Sequence, residues 1–201
     1  MSTQDATCIP NAPASATARP SAVDCGDAFA SRLADEPDKQ LRRQVLCVGA
    51  VLRGDDAAGP LLAKMMQDDP IEGWEVLDGG QTPEDFTGVV RRDRPDVLVV
   101  VDAASMQLEP GSIRQLSEED VACDYLMTTH SLPISIMLAE LRSSCKEIIF
   151  LGIQPGQTDF FSPLTPAVKE AVEWVYAQLA SGGDFSCVPA VFEGGGDVRA
   201  V

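Results

Sequence analysis

Four acids and one histidine are the residues of this chain whose types and spacing are suited to chemistry. Each acid directly follows a short apolar run or the loop that ends it, and the acids are Asp55, Asp56, Asp78 and Asp102. If the runs are parallel strands, their carboxyl ends meet at one edge of the sheet, where open α/β sheets place their ligand crevices. Carboxylates gathered there act as general acids or bases, or bind a metal ion.

Each acid also has a purely structural explanation, which the sequence leaves open. Asp55 or Asp56 would cap the helix that follows them, and Asp78 would serve the double-glycine turn beside it. Asp102 is harder to explain in this way, because it directly follows five apolar residues. An acid in that position must find partners in a nearly buried site or face a cleft.

His130 is the only histidine of the chain, and it stands just before a segment with helical spacing that begins at Ile134. The partial positive charge of a helix N-terminus favours the neutral imidazole, which is the form that binds metals. If the fold brings Asp56, Asp102 and His130 together, they form a set with open metal positions, as nickel or iron sites often do. Spacing alone does not establish that they converge.

The chain lacks the sequence motifs of nucleotide-binding enzymes and of hydrolases with a serine nucleophile. Residues 49–59 have neither the G-x-G-x-x-G spacing nor a G-K-[ST] ending, and acids stand where phosphates would bind. There is no G-x-S-x-G motif, and a Ser or Cys nucleophile would have to share the single histidine. Amide hydrolysis through carboxylates, through a metal, or through both remains open.

The elements that must position these residues alternate between strands and helices. Four short apolar runs predict buried strands: Val45 to Ala50, Trp74 to Leu77, Val97 to Val101, and Glu147 to Ile153. Helical spacing is found in residues 61–66, 134–141 and 168–179, and more weakly in 86–90. This alternation predicts an α/β fold whose mostly parallel sheet is covered on both faces, and Ser112 to Leu116 predicts an added antiparallel strand.

The domain boundaries follow from changes in composition. Residues 1–40 are rich in Ala, Ser, Thr, Pro and Asp and predict a disordered extension. Residues 41–180 predict a single α/β domain. Residues 181–201 contain five glycines and predict a flexible tail.

Charge and cysteine content narrow the partners and the compartment. The formal charge of −16 disfavours binding to nucleic acid or to anionic membranes. No apolar run is long enough to span a membrane, and no export signal is recognisable. The six cysteines are widely spaced, which predicts free thiols in a reducing cytoplasm.

Five motifs follow one another along the chain: Val48 to Pro60, Leu77 to Gly80, Val101 to Ala103, Thr128 to His130, and Phe150 to Pro155. In this order they resemble the hydrogenase maturation proteases, most of all the branch that processes the large subunit of the formate hydrogenlyase hydrogenase. The similarity covers about Val45 to Leu179, although Ala50 and Ala57 replace the Asn and Gly that are common in the family.

The resemblance implies a monomeric cytoplasmic endopeptidase that removes a C-terminal peptide from the nickel-loaded precursor of a [NiFe] hydrogenase large subunit. It implies a three-layer α/β/α sandwich around a twisted, mixed sheet of about five strands. The family's metal-contacting positions fall on Asp56, Asp102 and His130, which are also the expected catalytic residues. Nickel is expected to arrive with the substrate, and no organic cofactor is expected.

Two mechanisms and one non-catalytic alternative stay open. In one mechanism, nickel shared by enzyme and substrate acts as a Lewis acid. In the other, which suits the family's grouping with aspartic-type peptidases, nickel positions the substrate while Asp56 or Asp55 activates water. The alternative is a nickel-binding chaperone that holds the C-terminus of the precursor and cuts nothing.

Overall fold

The computed structural model describes residues 41–117, 120 and 134–191. Within them, the strands are β1 Arg43–Val48, β2 Trp74–Gly80, β3 Val97–Ala103, β4 Ile113–Gln115 and β5 Glu147–Ile153. The α-helices are α1 Ala58–Asp68, α2 Thr87–Asp93, α3 Ile134–Leu141 and α4 Pro166–Ala180, and short 3-10 turns at Gly54–Ala57 and Pro83–Phe86 precede α1 and α2.

The strands form one mixed sheet in the order β2-β1-β3-β5-β4. The first four strands of that order are parallel, whereas β4 runs antiparallel to β5. Both the α/β fold class and the antiparallel strand expected at residues 112–116 are therefore confirmed. β3 lies in the middle, and all its residues are buried, which explains why its sequence is apolar without alternation.

Helices cover both faces of this sheet and complete three layers. On one face, α1 and α4 pack against alternate residues of β1 and β3, such as Val45 and Val99. On the other face, α3 packs against the residues between them, such as Leu46 and Val100. Since successive strand residues point to opposite faces, two cores share the same strands.

Residues 184–191 pack on this domain, so the boundary predicted at residue 180 was drawn too early. Phe185 is 1% exposed and Val188 is 3% exposed. The amide of Gln115 in β4 donates to the carbonyl oxygen of Pro189 over 3.0 Å, and its side-chain Nε2 donates to that of Phe185 over 2.6 Å. Gly182 and Gly183 precede this segment and form a turn. Gly183 has φ 79°, and a Cβ there would lie too close to the ring of Trp74.

The cysteines only partly follow the prediction of free thiols. Cys47 and Cys145 are free, but Cys187 is disulfide-bonded, so the prediction is wrong for this residue. None of the helices in the described ranges is long and apolar enough to cross a membrane. The extension 1–40, the last ten residues and His130 lie outside the described residues.

Candidate active site

The carboxyl ends of β1 and β3 carry the two acids that the sequence singled out most strongly. Cys47 pairs with Val101, so the neighbouring strands end at the same level of the sheet. From there the β1 loop (residues 49–57) turns back, and its Gly54–Ala57 turn lies against β3. Asp56 therefore lies on the loop beyond the end of β1, and Asp102 lies near the end of β3.

The backbone of the β1 loop fixes the position of Asp56. Gly49 has φ 141°, and a Cβ there would lie 2.0 Å from the carbonyl oxygen of Asp56. That oxygen accepts a hydrogen bond from the amide of Ala50 over 3.0 Å, and the amide of Asp56 donates to the carbonyl oxygen of Arg53 over 3.0 Å. Backbone hydrogen bonds therefore close the loop, although Ala50 replaces the asparagine common in the family.

Both acids are buried at this edge. Asp102 is 0% exposed and Asp56 is 2% exposed. The amide of Ala103 donates to Oδ1 of Asp102 over 2.8 Å. Buried carboxylates are costly unless donors or cations compensate them, and carboxylates at a strand end are able to bind a cation or to move a proton.

Asp55 has a different role from its neighbour. Its Oδ2 accepts hydrogen bonds from the amides of Gly156 and Gln157 over 2.7 and 3.1 Å and from Thr165 Oγ1 over 3.0 Å. Its Oδ1 accepts from the amide of Thr165 over 2.6 Å. Since both carboxylate oxygens are occupied by this chain's own donors, Asp55 positions loops and is poorly placed to activate water.

The alternative that Asp55 or Asp56 caps the following helix is wrong. Neither the Gly54–Ala57 turn nor α1 has a side-chain hydrogen bond at its N-cap. Asp55 instead bonds the β5 loop (residues 154–165), whose last residue, Thr165, is the N-cap of α4. Because its partners lie about a hundred residues further along the chain, local spacing gave no signal for this role.

Gln154 is a positioning residue that sequence reasoning quoted but did not assign. Its Oε1 accepts hydrogen bonds from the amides of Met106 and Leu108 over 2.6 and 3.2 Å, and its Nε2 donates to the carbonyl oxygen of Pro155 over 3.0 Å. It therefore ties the chain that follows Asp102 to the end of β5. The signal was present, since Gln154 lies in the last of the five motifs.

Asp78 stands apart from the buried pair. It lies in β2 and is exposed, and it pairs in register with Cys47 of β1. Burial of the Cys47 thiol, and to a smaller extent the charge of Asp78, raises the pKa of that thiol far above its ordinary value. Cys47 is therefore not a nucleophile at neutral pH.

A metal-binding set requires a residue beyond those that the structure describes. Within the described ranges, no group of three His, Cys, Asp or Glu side chains is arranged to hold a metal ion. Asp56 and Asp102 supply two carboxylates, and the expected third donor, His130, lies outside these ranges. Two carboxylates and an imidazole are a donor set that suits a divalent nickel ion.

This fold is shared with solved proteases and endopeptidases. The crystal structure of the Hydrogenase 3 Maturation protease has a TM-score of 0.67 and 39% identity, with coverage of 75% of this chain and 97% of that one. The solution structure of the endopeptidase HycI from Escherichia coli has a TM-score of 0.69 and 40% identity, with coverage of 74% and 96%. The class is thus an α/β peptide hydrolase.

Sequence comparison places the chain within this class. The family model HycI, described as hydrogenase maturation protease, matches residues 60–181. The Hydrogenase 3 maturation protease of Escherichia coli K12 is 44% identical over 135 residues, which cover 67% of this chain and 86% of the relative. The chain belongs to the hydrogenase maturation protease family, which confirms the family predicted from the five motifs.

Proposed function

We propose that this protein is the endopeptidase that removes the C-terminal peptide from the nickel-loaded precursor of a [NiFe] hydrogenase large subunit. The observation that carries the proposal is a pair of buried carboxylates in a member of this family, Asp56 on the loop after β1 and Asp102 near the end of the adjacent parallel strand β3. Relatives named as proteases and endopeptidases favour this function over that of a non-catalytic chaperone.

In this proposal, nickel is part of the substrate. Asp56 and Asp102 contact the nickel of the precursor together with the imidazole of His130. The metal supplies a charge that these carboxylates recognise and that also polarises a nearby carbonyl group. The enzyme then has no resident metal and no organic cofactor.

The chemical step is hydrolysis of one peptide bond. Asp56 accepts a proton from the attacking water, the oxygen of that water bonds to the scissile carbonyl carbon, and the carbon–nitrogen bond then breaks. The proton passes to the leaving amine, so the products are a new C-terminal carboxylate and a free peptide. Asp102 keeps the substrate in place, and Asp55 holds the loop that carries Asp56.

The remaining expectations complete the proposal. An acidic protease that acts on a cytoplasmic enzyme precursor works in the cytoplasm, as a monomer, without nucleic acid or membrane partners. Its grouping with aspartic-type peptidases follows from the role given to Asp56. These statements rest on the charge of −16 and on the family.

A gel assay of precursor processing tests the proposal. Purified protein added to the nickel-loaded precursor is expected to convert it into a shorter band, with the loss of a C-terminal peptide that mass spectrometry identifies. Asp56→Asn is expected to lose this activity, whereas the control Asp85→Asn, at an exposed acid on the 3-10 turn before α2, keeps it. A wild-type protein that binds the precursor without shortening it would support the chaperone instead.

A further inference from the structure

An exposed apolar patch borders the candidate active site. Four of the five large apolar side chains that are exposed in the described part of the chain lie in the β1 and β5 loops. We name these four the rim patch: Val51 (69% exposed), Leu52 (53%), Phe160 (61%) and Phe161 (77%). Exposed apolar residues gathered in one place commonly mark an interaction site.

The two halves of the rim patch form one surface. The amide of Phe161 donates a hydrogen bond to the carbonyl oxygen of Leu52 over 2.8 Å, so the two loops touch at the patch itself. The rings of Phe160 and Phe161 pack edge to face, with their centroids 4.7 Å apart. The patch is therefore continuous across both loops.

The loops hold the patch in a fixed shape. Asp55 bonds the β5 loop at Gly156, Gln157 and Thr165, and the amide of Asp55 donates back to the carbonyl oxygen of Gln157 over 2.9 Å. Ser162 Oγ donates to the carbonyl oxygen of Asp159 over 2.7 Å. Rigid presentation lowers the entropy that a partner must overcome on binding.

Phe161 is in a conformation that folding alone does not favour. Its φ of 61° lies in the left-handed region, where residues other than Gly, Asn and Asp are strained. Its side chain is nevertheless the most exposed of the four. A strained, exposed aromatic residue costs stability without adding to the core, which points to a function.

The patch is continuous with the loop that carries the catalytic acid. Leu52 is followed by Arg53, whose carbonyl oxygen accepts the hydrogen bond from the amide of Asp56. Val51 follows Ala50, whose amide bonds the carbonyl oxygen of Asp56. Val51 and Leu52 of the rim patch therefore lie on the same hydrogen-bonded loop as Asp56.

From this geometry we propose that the rim patch binds an apolar segment of the precursor beside the scissile bond, and so determines substrate affinity. The proposal rests on the proposed function, because the occupant is the same precursor. It explains how a chain with a charge of −16 holds a protein substrate through an uncharged surface. Aromatic side chains are the usual anchors of such contacts.

Steady-state cleavage of full-length nickel-loaded precursor tests the patch with Phe160→Ser, Phe161→Gly and the double variant. Glycine accepts the backbone angle of Phe161, so this variant is expected to fold, and its melting temperature checks that it does. We expect KM to rise about tenfold in each single variant and further in the double variant, with kcat changed less than about twofold.

The matched control is Ile136→Ser, which removes an apolar side chain that is 54% exposed. Ile136 lies on α3, which covers the sheet face opposite to α1 and α4. Its KM is expected to equal that of the wild type. Cleavage by all the proteins with the same KM would overturn this proposal alone. Sedimentation tests the alternative that the patch binds a second copy of this chain. A dimer that the wild type forms and the double variant does not, with KM unchanged, would support that alternative and overturn this proposal as well. If the wild type cleaves nothing, the proposed function fails, and this proposal fails with it.

Discussion

Asp55 and Thr165 lie 110 residues apart in the chain and are joined by two hydrogen bonds, one from the amide of Thr165 to Oδ1 over 2.6 Å and one from Thr165 Oγ1 to Oδ2 over 3.0 Å. These bonds connect the loop after β1 to the N-cap residue of α4. Asp55, which the sequence left open as an alternative base to Asp56, is thus a structural residue that joins two loops. Its neighbour Asp56 lies on the loop that these bonds hold.

Asp55→Ala is expected to destabilise the protein. The change removes the acceptor of four partly buried hydrogen bonds, so the free energy of unfolding should fall by about 3 kcal/mol. Urea denaturation measures this, and Asp85→Ala at an exposed site is expected to change stability by less than about 0.5 kcal/mol. Full stability of Asp55→Ala together with lost activity would instead indicate a chemical role for Asp55.

Gln154→Leu is expected to release the chain that follows Asp102. Because the amides of Met106 and Leu108 lose their acceptor, they should exchange with solvent faster, and kcat should fall about tenfold. Gln154→Glu keeps an acceptor oxygen and is expected to retain protection of both amides. Amide hydrogen exchange followed by mass spectrometry makes the comparison, and unchanged protection in Gln154→Leu would refute the positioning role.

The Cys145 thiol is expected to react slowly at neutral pH. Burial raises its pKa from 9.0 to about 11, and the thiolate is the form that reacts. Alkylation by iodoacetamide, followed by mass spectrometry of the peptide with Cys145, should be slow at pH 8 and accelerate toward pH 11. A rate that levels off near pH 9 would show that the thiol titrates normally.

The same shift has a consequence for stability. The thiol of the unfolded chain titrates at the lower pKa, so the unfolded state loses its proton first as the pH rises. The contribution of Cys145 is therefore fully present below about pH 9 and is lost toward pH 11. Cys145→Ala should reduce the fall in unfolding free energy over this interval, which denaturant titrations at pH 8 and pH 10.5 measure.

Substitutions of Asp56 and of Asp102 are expected to affect turnover and precursor binding differently. Asp102→Asn keeps the size and removes the charge, so it should weaken co-purification with nickel-loaded precursor and lower turnover without unfolding the domain. Asp56→Asn should lose turnover but keep precursor binding if its main role is that of the base. Equal loss of binding in both variants would contradict this division of roles.

The strands and Asp102 were predictable because their signals are local. Residues 97–101 form an unbroken apolar run, which predicts a buried strand. An acid directly after such a strand is expected at its carboxyl end, where open α/β sheets place their ligand crevices. The short connection through Pro110-Gly111 likewise indicated that β4 runs opposite to β3, although β4 pairs with β5 and not with β3. In both cases neighbouring residues carry enough information.

The contacts that hold the site together were not predictable, because they are long-range. Nothing near Asp55 in the sequence indicates that its donors are Gly156, Gln157 and Thr165. Phe185 follows Gly182 and Gly183, which suggest a tail, yet these two glycines form a turn and Phe185 packs in the core. Local composition indicates which conformations a segment favours, and tertiary contacts determine which one it adopts.

The nickel dependence of cleavage is the most direct test of the proposal that the enzyme recognises the nickel of its precursor. The measurement is the initial rate of conversion of full-length precursor by wild-type protein, with the precursor prepared either nickel-loaded or nickel-free and the enzyme at the same concentration. We expect rapid conversion of the loaded precursor and at least about a hundredfold slower conversion of the nickel-free form, since Asp56 and Asp102 then face no cation. Equal rates for the two forms would contradict metal recognition and would indicate a carboxylate peptidase that reads its substrate by sequence alone.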